Sequence, residues 1–149
     1  MTAPCILVVE DNPGDVMLIQ HCLSKHDVSA RLHVSPDGEE ALKCVEELET
    51  SSGPYPDLVI LDLHLPKVPG TIVLNRIRQS SIWDDIPVVV LTSSNSPIDR
   101  EEAARLGANL YINKPARLDE YLKIGQRLKE FLPNERESAP SPLPCSGRT

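Results

Sequence analysis

Asp57-Leu58-Val59-Ile60-Leu61-Asp62-Leu63-His64-Leu65-Pro66-Lys67-Val68-Pro69-Gly70 is the stretch that decides the fold. Four apolar residues in succession, Leu58 to Leu61, suit a strand buried on both faces, as in a parallel sheet. Asp62 ends the run, and Pro66, Pro69 and Gly70 then break the chain. A carboxylate is thereby placed where the strand surfaces at its carboxyl end, the edge at which open α/β sheets bind ligands. Taken alone, such an Asp better suits the cap of a turn.

Upstream, residues 5–9 form a short apolar run ended by Glu10-Asp11. Asn12 suits a helix N-cap, Pro13 the first helical position and Asp15 the positive end of the helix. That helix carries Val16, Ile19 and Leu23 on one face and fades near His26. Residues 31–35 read as a second, weaker strand. Asp37-Gly38-Glu39-Glu40 resembles a capping box, opening a helix with Ala41, Leu42, Val45 and Leu48 inward. Ser51-Ser52-Gly53-Pro54 stops it.

Downstream, residues 71–79 predict a helix with Val73, Leu74 and Ile77 inward, and residues 86–91 a fourth strand. A hydroxyl-rich loop follows, Thr92-Ser93-Ser94-Asn95-Ser96, and Ser96-Pro97-Ile98-Asp99 repeats the helix-start signature. This fourth helix ends at Gly107, a left-handed C-cap. Its inward face is thin, chiefly Ile98, Ala103, Ala104 and Leu106, which predicts a weakly held element. Residues 109–113 make a fifth strand closed by Lys114-Pro115. The last helix, over 117–132, turns Leu118, Tyr121, Leu122, Leu128 and Phe131 inward. Residues 4–132 thus read as one domain, and 133–149, with Pro140, Pro142 and Pro144 among polar residues, as a disordered tail.

Five strands alternating with five helices predict an α/β, doubly wound domain with a five-stranded parallel sheet. The flavodoxin-like strand order 2-1-3-4-5 suits this length. A net charge of −7 argues against nucleic acid or an anionic membrane as partner. No apolar run approaches the ~18 residues that span a bilayer. Neither a signal-peptide pattern nor paired metal-type cysteine spacing is present, and Cys5, Cys22 and Cys44 lie within apolar patterns. Together these predict a soluble cytoplasmic protein.

The predicted order sets the ends of strands 1 and 3 side by side, so Glu10, Asp11 and Asp62 converge. Three carboxylates in one crevice repel unless a cation or protons compensate. An oxygen-only cluster favours Mg²⁺. The ends of strands 4 and 5 add Thr92, a hydroxyl donor, and Lys114, a point charge suited to phosphate. Singly, each residue also suits a cap or a surface ion pair. Jointly, they make an edge that can hold a metal, offer a carboxylate nucleophile and neutralise an arriving phosphoryl group.

This set resembles the receiver domain of two-component response regulators, the CheY-like superfamily. The resemblance covers about residues 4–132 and implies a phosphorelay protein that accepts a phosphoryl group from a histidine kinase. It implies Glu10 and Asp11 as the acidic pair, Asp62 as the phosphorylated aspartate, Thr92 as the switch hydroxyl, Tyr111 as the switch aromatic and Lys114 as the phosphate partner. Mg²⁺ would be held by Asp11, Asp62, the backbone carbonyl of His64 and, through water, Glu10. His64 and Ser94 stand where family members tune the phosphoryl lifetime, and Pro115 where the preceding bond is cis. The activity implied is self-phosphorylation and autodephosphorylation rather than turnover of a substrate. The output surface implied lies over helix 4, strand 5 and helix 5, open to a partner or to a homodimer. More narrowly, Glu10-Asp11-Asn12-Pro13-Gly14-Asp15 and Leu63-His64-Leu65-Pro66-Lys67 are similar to stand-alone receivers associated with phytochromes. Val68-Pro69 before Gly70 departs from the family pattern, keeping the loop's length but changing its surface.

Two other classes fit less well. A flavodoxin-type FMN carrier needs an anion-binding loop after strand 1, and here that loop is acidic. A haloacid dehalogenase-type phosphatase needs Asp two residues after its nucleophile, where this chain has His64.

Overall fold

A computed structural model describes residues 3–133. The stretch read as a disordered tail lies, apart from Pro133, outside the described residues. In chain order the elements are β1 (Cys5–Val9), α1 (Pro13–Lys25), β2 (Arg31–Ser35), α2 (Gly38–Glu49), β3 (Leu58–Leu61), α3 (Gly70–Gln79), β4 (Val88–Thr92), α4 (Pro97–Arg105), β5 (Leu110–Asn113), α5 (Leu118–Leu122) and α6 (Ile124–Lys129). The five strands form one sheet in the order β2-β1-β3-β4-β5, every pair parallel.

Alternate residues of the central strands feed opposite layers. Leu7, Val9, Val59, Leu61, Val88 and Val90 face α2 and α3, with Trp83 closing that layer. Ile6, Val8, Leu58, Ile60, Val89 and Leu91 face α1, α5 and α6. Burying a Val, Leu or Ile fully is worth about 1.5–3 kcal/mol, so β1, β3 and β4, buried throughout, form the rigid floor of the molecule.

The caps fall where the sequence places them. Asn12 accepts from the Gly14 amide at 2.8 Å, Asp37 from Glu40 at 2.9 Å, and Ser96 from Ile98 at 3.2 Å. Gly107 lies just beyond α4 with φ 100°. Gly70 is required for a different reason. A Cβ there would lie 2.2 Å from the Asp62 carbonyl oxygen, so α3 can start against the end of β3 only from glycine.

Three expectations are corrected. Ile98 is 73% exposed and Ala104 is exposed as well, leaving Ala103 as the buried residue of α4. Ile98 sits in the first turn of this nine-residue helix, ahead of the residue that reaches the core. Leu118 is 60% exposed, because it opens its helix at the rim before the chain has turned onto α1. The last helix is also two pieces. Around Lys123 the bonding tightens to Lys123 N–H to Glu120 O and Gln126 N–H to Lys123 O, each 3.2 Å. This brings Gly125 so close to α1 that a Cβ would meet the Cys22 carbonyl oxygen.

Candidate functional site

The parallel register builds the site. Val9 pairs with Leu61, and the Asp62 amide donates to the Val9 carbonyl at 3.0 Å, so Glu10 and Asp62 leave the sheet as neighbours. Thr92 pairs with Asn113, and the Lys114 amide donates to the Thr92 carbonyl at 2.7 Å. Four strand ends therefore deliver Glu10, Asp62, Thr92 and Lys114 to one edge. Oxygens of Glu10, Asp11 and Asp62 lie within 4.8 Å of one another.

Glu10 is only 4% exposed, and Asp62 and Thr92 are buried with it, whereas Asp11 is open to solvent. The Lys114 ammonium compensates the crowding, with Nζ donating to Glu10 Oε1 at 2.8 Å, Asp15 Oδ2 at 2.9 Å and Asp62 Oδ2 at 3.2 Å. The second oxygens are engaged too: Glu10 accepts from the Asn12 amide at 3.1 Å and Asp62 from the His64 amide at 3.3 Å. Burial pushes the Glu10 carboxyl up to about 7 despite its bond to Lys114. Burial alone would pull the Lys114 ammonium down, but the bonds to Glu10 and Asp15 and the field of Asp62 overcome it, and its pKa is raised.

These shifts make a pH prediction. A carboxyl whose folded pKa is raised to about 7 from an ordinary 4.5 contributes stability below 4.5 and loses it as pH rises through 7. The loss amounts to about 3 kcal/mol. In chelator, Glu10→Gln should therefore be more stable than the parent chain at about pH 8, with the advantage gone by about pH 5. Urea unfolding midpoints at the two pH values measure it.

The donor set suits a hard divalent cation, which prefers carboxylate and carbonyl oxygens. The cluster mixes buried and exposed members, so an ion can enter from the Asp11 side without the sheet opening.

Thr92 Oγ1 accepts from the Ser94 amide at 3.3 Å. Tyr111, half-buried, donates its hydroxyl to the Ser94 carbonyl at 2.9 Å, and Asn113 donates to the same oxygen at 2.8 Å. The Arg100 guanidinium stacks 4.5 Å over the Tyr111 ring. Ser94 Oγ donates to Asp99 Oδ2 at 2.5 Å, and His64 Nε2 reaches the same carboxylate at 3.3 Å. His64 and Ser94 are thus brought together through Asp99 at the rim of the cleft.

The expected cis bond before Pro115 is not found. Among the described residues the cis peptide is Gly53–Pro54. The trans form is the ordinarily preferred one, by about 0.5–1 kcal/mol. Sequence reasoning also missed two partners. In the sequence Asp15 and Asp99 carry only the signature of helix-start acids, although both are held in long-range or cross-loop bonds.

Residues 6–125 match the model of the response regulator receiver domain. The chain belongs to the response regulator receiver family. Among curated relatives, the probable methanogenesis regulatory protein FilR2 of Methanothrix harundinacea is 36% identical over 126 residues, covering 85% of this chain and 81% of its own. Response regulator Rcp1 of Synechocystis is 35% identical over 127 residues, 85% of this chain and 86% of Rcp1. A Mn²⁺-bound structure of Rcp1 superposes with a TM-score of 0.77 at 34% identity, covering 93% of this chain and 99% of that one. The phosphorylated cyanobacterial phytochrome response regulator RcpA gives a TM-score of 0.79 at 35% identity, covering 94% of this chain and all of that one. This receiver therefore resembles regulators of the phytochrome-associated group along nearly its whole described length. Among the described residues no helix is long and apolar enough to cross a membrane.

Proposed function

We propose that this receiver accepts a phosphoryl group on Asp62 from the phosphohistidine of a histidine kinase of the phytochrome type, with Mg²⁺ as cofactor. One observation carries the reading: Asp62 is buried beside Glu10 and Asp11, with the Lys114 ammonium bonded to it. The similarity to RcpA and Rcp1 supports the class of donor.

An Asp62 carboxylate oxygen attacks phosphorus, the P–N bond breaks, and its electron pair leaves with the imidazole. Glu10, Asp11, Asp62 and the His64 carbonyl would hold the metal, which when bound supplies positive charge for the transferring group. Lys114 neutralises a further oxygen of the acyl phosphate. Thr92 turns its hydroxyl from the Ser94 amide toward the phosphoryl group. That motion loosens the loop on which Tyr111, Asn113 and Asp99 converge, and the added charge of about −1.5 to −2 stabilises the rearrangement. His64 and Ser94 flank the approach of water and set the phosphoryl lifetime. The output passes to α4, β5 and α5, where the exposed Ile98 and Leu118 offer apolar contacts to a target or to a second copy.

Hydrogen exchange before and after phosphorylation by acetyl phosphate and Mg²⁺ tests the switch. Amides across 92–122 should change protection while β1 and β3 stay constant. Unchanged exchange over 92–122 in a fully phosphorylated sample would contradict it.

A further inference from the structure

Asp15 has no part in the reading above, yet it makes one of the three bonds to Lys114. It stands in the first turn of α1, its Oδ2 2.9 Å from Nζ, while its Oδ1 accepts from the Tyr121 hydroxyl of α5 at 3.4 Å. Tyr121 is buried, and burial together with the Asp15 charge raises its pKa, so its hydroxyl keeps its proton. Asp15 does not belong to the carboxylate cluster suited to a metal.

An ammonium has three N–H donors, and those of Lys114 go one each to Glu10, Asp15 and Asp62. A phosphoryl oxygen on Asp62 must take one of them. Glu10 and Asp62 gain a metal ion as a replacement partner, whereas Asp15 gains nothing and stays as an unrelieved negative charge against the same lysine. We infer that Asp15 is the resting counter-ion of Lys114, a positioning residue that holds the ammonium toward α1 and α5 and so weakens the site's hold on a phosphoryl group. The inference rests on Asp62 as the acceptor.

The test uses the full chain and two probes, Mg²⁺ alone and then beryllofluoride, a phosphoryl mimic, at saturating Mg²⁺, followed by fluorine NMR. Asp15→Asn keeps the shape and an acceptor oxygen but removes the charge. Its affinity for beryllofluoride should rise about tenfold, the scale of one neighbouring charge at an effective dielectric of about 20 after screening. Its affinity for Mg²⁺ alone should stay level or fall, because a negative charge has been lost. A general structural defect would weaken both, so unchanged or weaker beryllofluoride binding overturns the inference. If Asp15→Asn does not fold, Asp15→Ser decides. It also removes the charge facing Lys114 and should tighten beryllofluoride by a similar factor, and no change or a loss overturns the inference. Failure of the parent chain to bind beryllofluoride with Mg²⁺ would overturn the acceptor reading itself, and this inference with it. Binding that is abolished by Asp62→Asn keeps the two cases distinct.

Discussion

Asp62→Asn should take up no phosphoryl group from acetyl phosphate and Mg²⁺, while the parent chain gains one per molecule by intact mass. The side chains are nearly isosteric. Asn can still accept from Lys114 through its carbonyl oxygen, while its NH2 cannot accept from the His64 amide, so one of the two bonds at position 62 is kept. What it lacks is an anionic oxygen able to form the acyl phosphate. The fold should not suffer, because one charge is removed from a crowded set and self-repulsion falls. Urea unfolding in chelator is expected to show stability equal to the parent's or higher by about 1 kcal/mol. A variant that loses phosphorylation together with its fold would leave the chemistry of Asp62 unsupported, and one that still gains the full phosphoryl mass would exclude Asp62.

Lys114→Met should produce the larger stability effect. It removes the ammonium that bonds Glu10, Asp15 and Asp62 while keeping most of the aliphatic stem. Taking away one partner of a buried ionic group costs about 3–5 kcal/mol, since the remaining charges stay desolvated and unpaired. The raised pKa of Lys114 means that its contribution is present below its ordinary value of 10.5 and is lost only above it, so the deficit should hold across the neutral range. A cation that binds only the folded state restores stability by mass action, about 2.7 kcal/mol at a hundredfold excess over Kd. Unfolding of Lys114→Met in chelator and in millimolar Mg²⁺ should accordingly show a deficit that shrinks when the metal is present. An equal deficit in both would mean that the metal and the Lys114 ammonium do not compete for the same carboxylates.

Much of this was legible before any coordinates. The doubly buried runs at 5–9, 58–61 and 88–91 require a parallel sheet covered on both faces. Once strand 1 lies between strands 2 and 3, Glu10 and Asp62 must emerge side by side. Asp15 was harder, because helix-start acids stabilise the positive end of any helix and carry no mark of a distant partner. Its lysine lies 99 residues away and is reached only after four crossovers have placed β5's end near α1. Asp99 hid for the same reason, since Ser96-Pro97-Ile98-Asp99 is complete as a cap without reference to His64. Ile98 and Leu118 misled through hydropathy alone. Periodicity marks them as inward, but both lie in the first turn of their helices, ahead of the residues that reach the sheet, and both stay exposed. The short bonds around Lys123 leave no sequence signature except Gly125, whose need for close approach shows only against α1.

On the proposal that crowding by Glu10, Asp11 and Lys114 readies the carboxylate of Asp62 to receive phosphorus, the acyl phosphate forms at that position. Reductive trapping tests it most directly: the phosphorylated chain is treated with borohydride, which converts an acyl phosphate to the alcohol, and the peptides are sequenced by mass spectrometry. Homoserine is expected at position 62, with Glu10, Asp11 and Asp15 unmodified and the product lost when Mg²⁺ is chelated before phosphorylation. Homoserine at another aspartate, or the same yield at position 62 without a divalent ion, would contradict it.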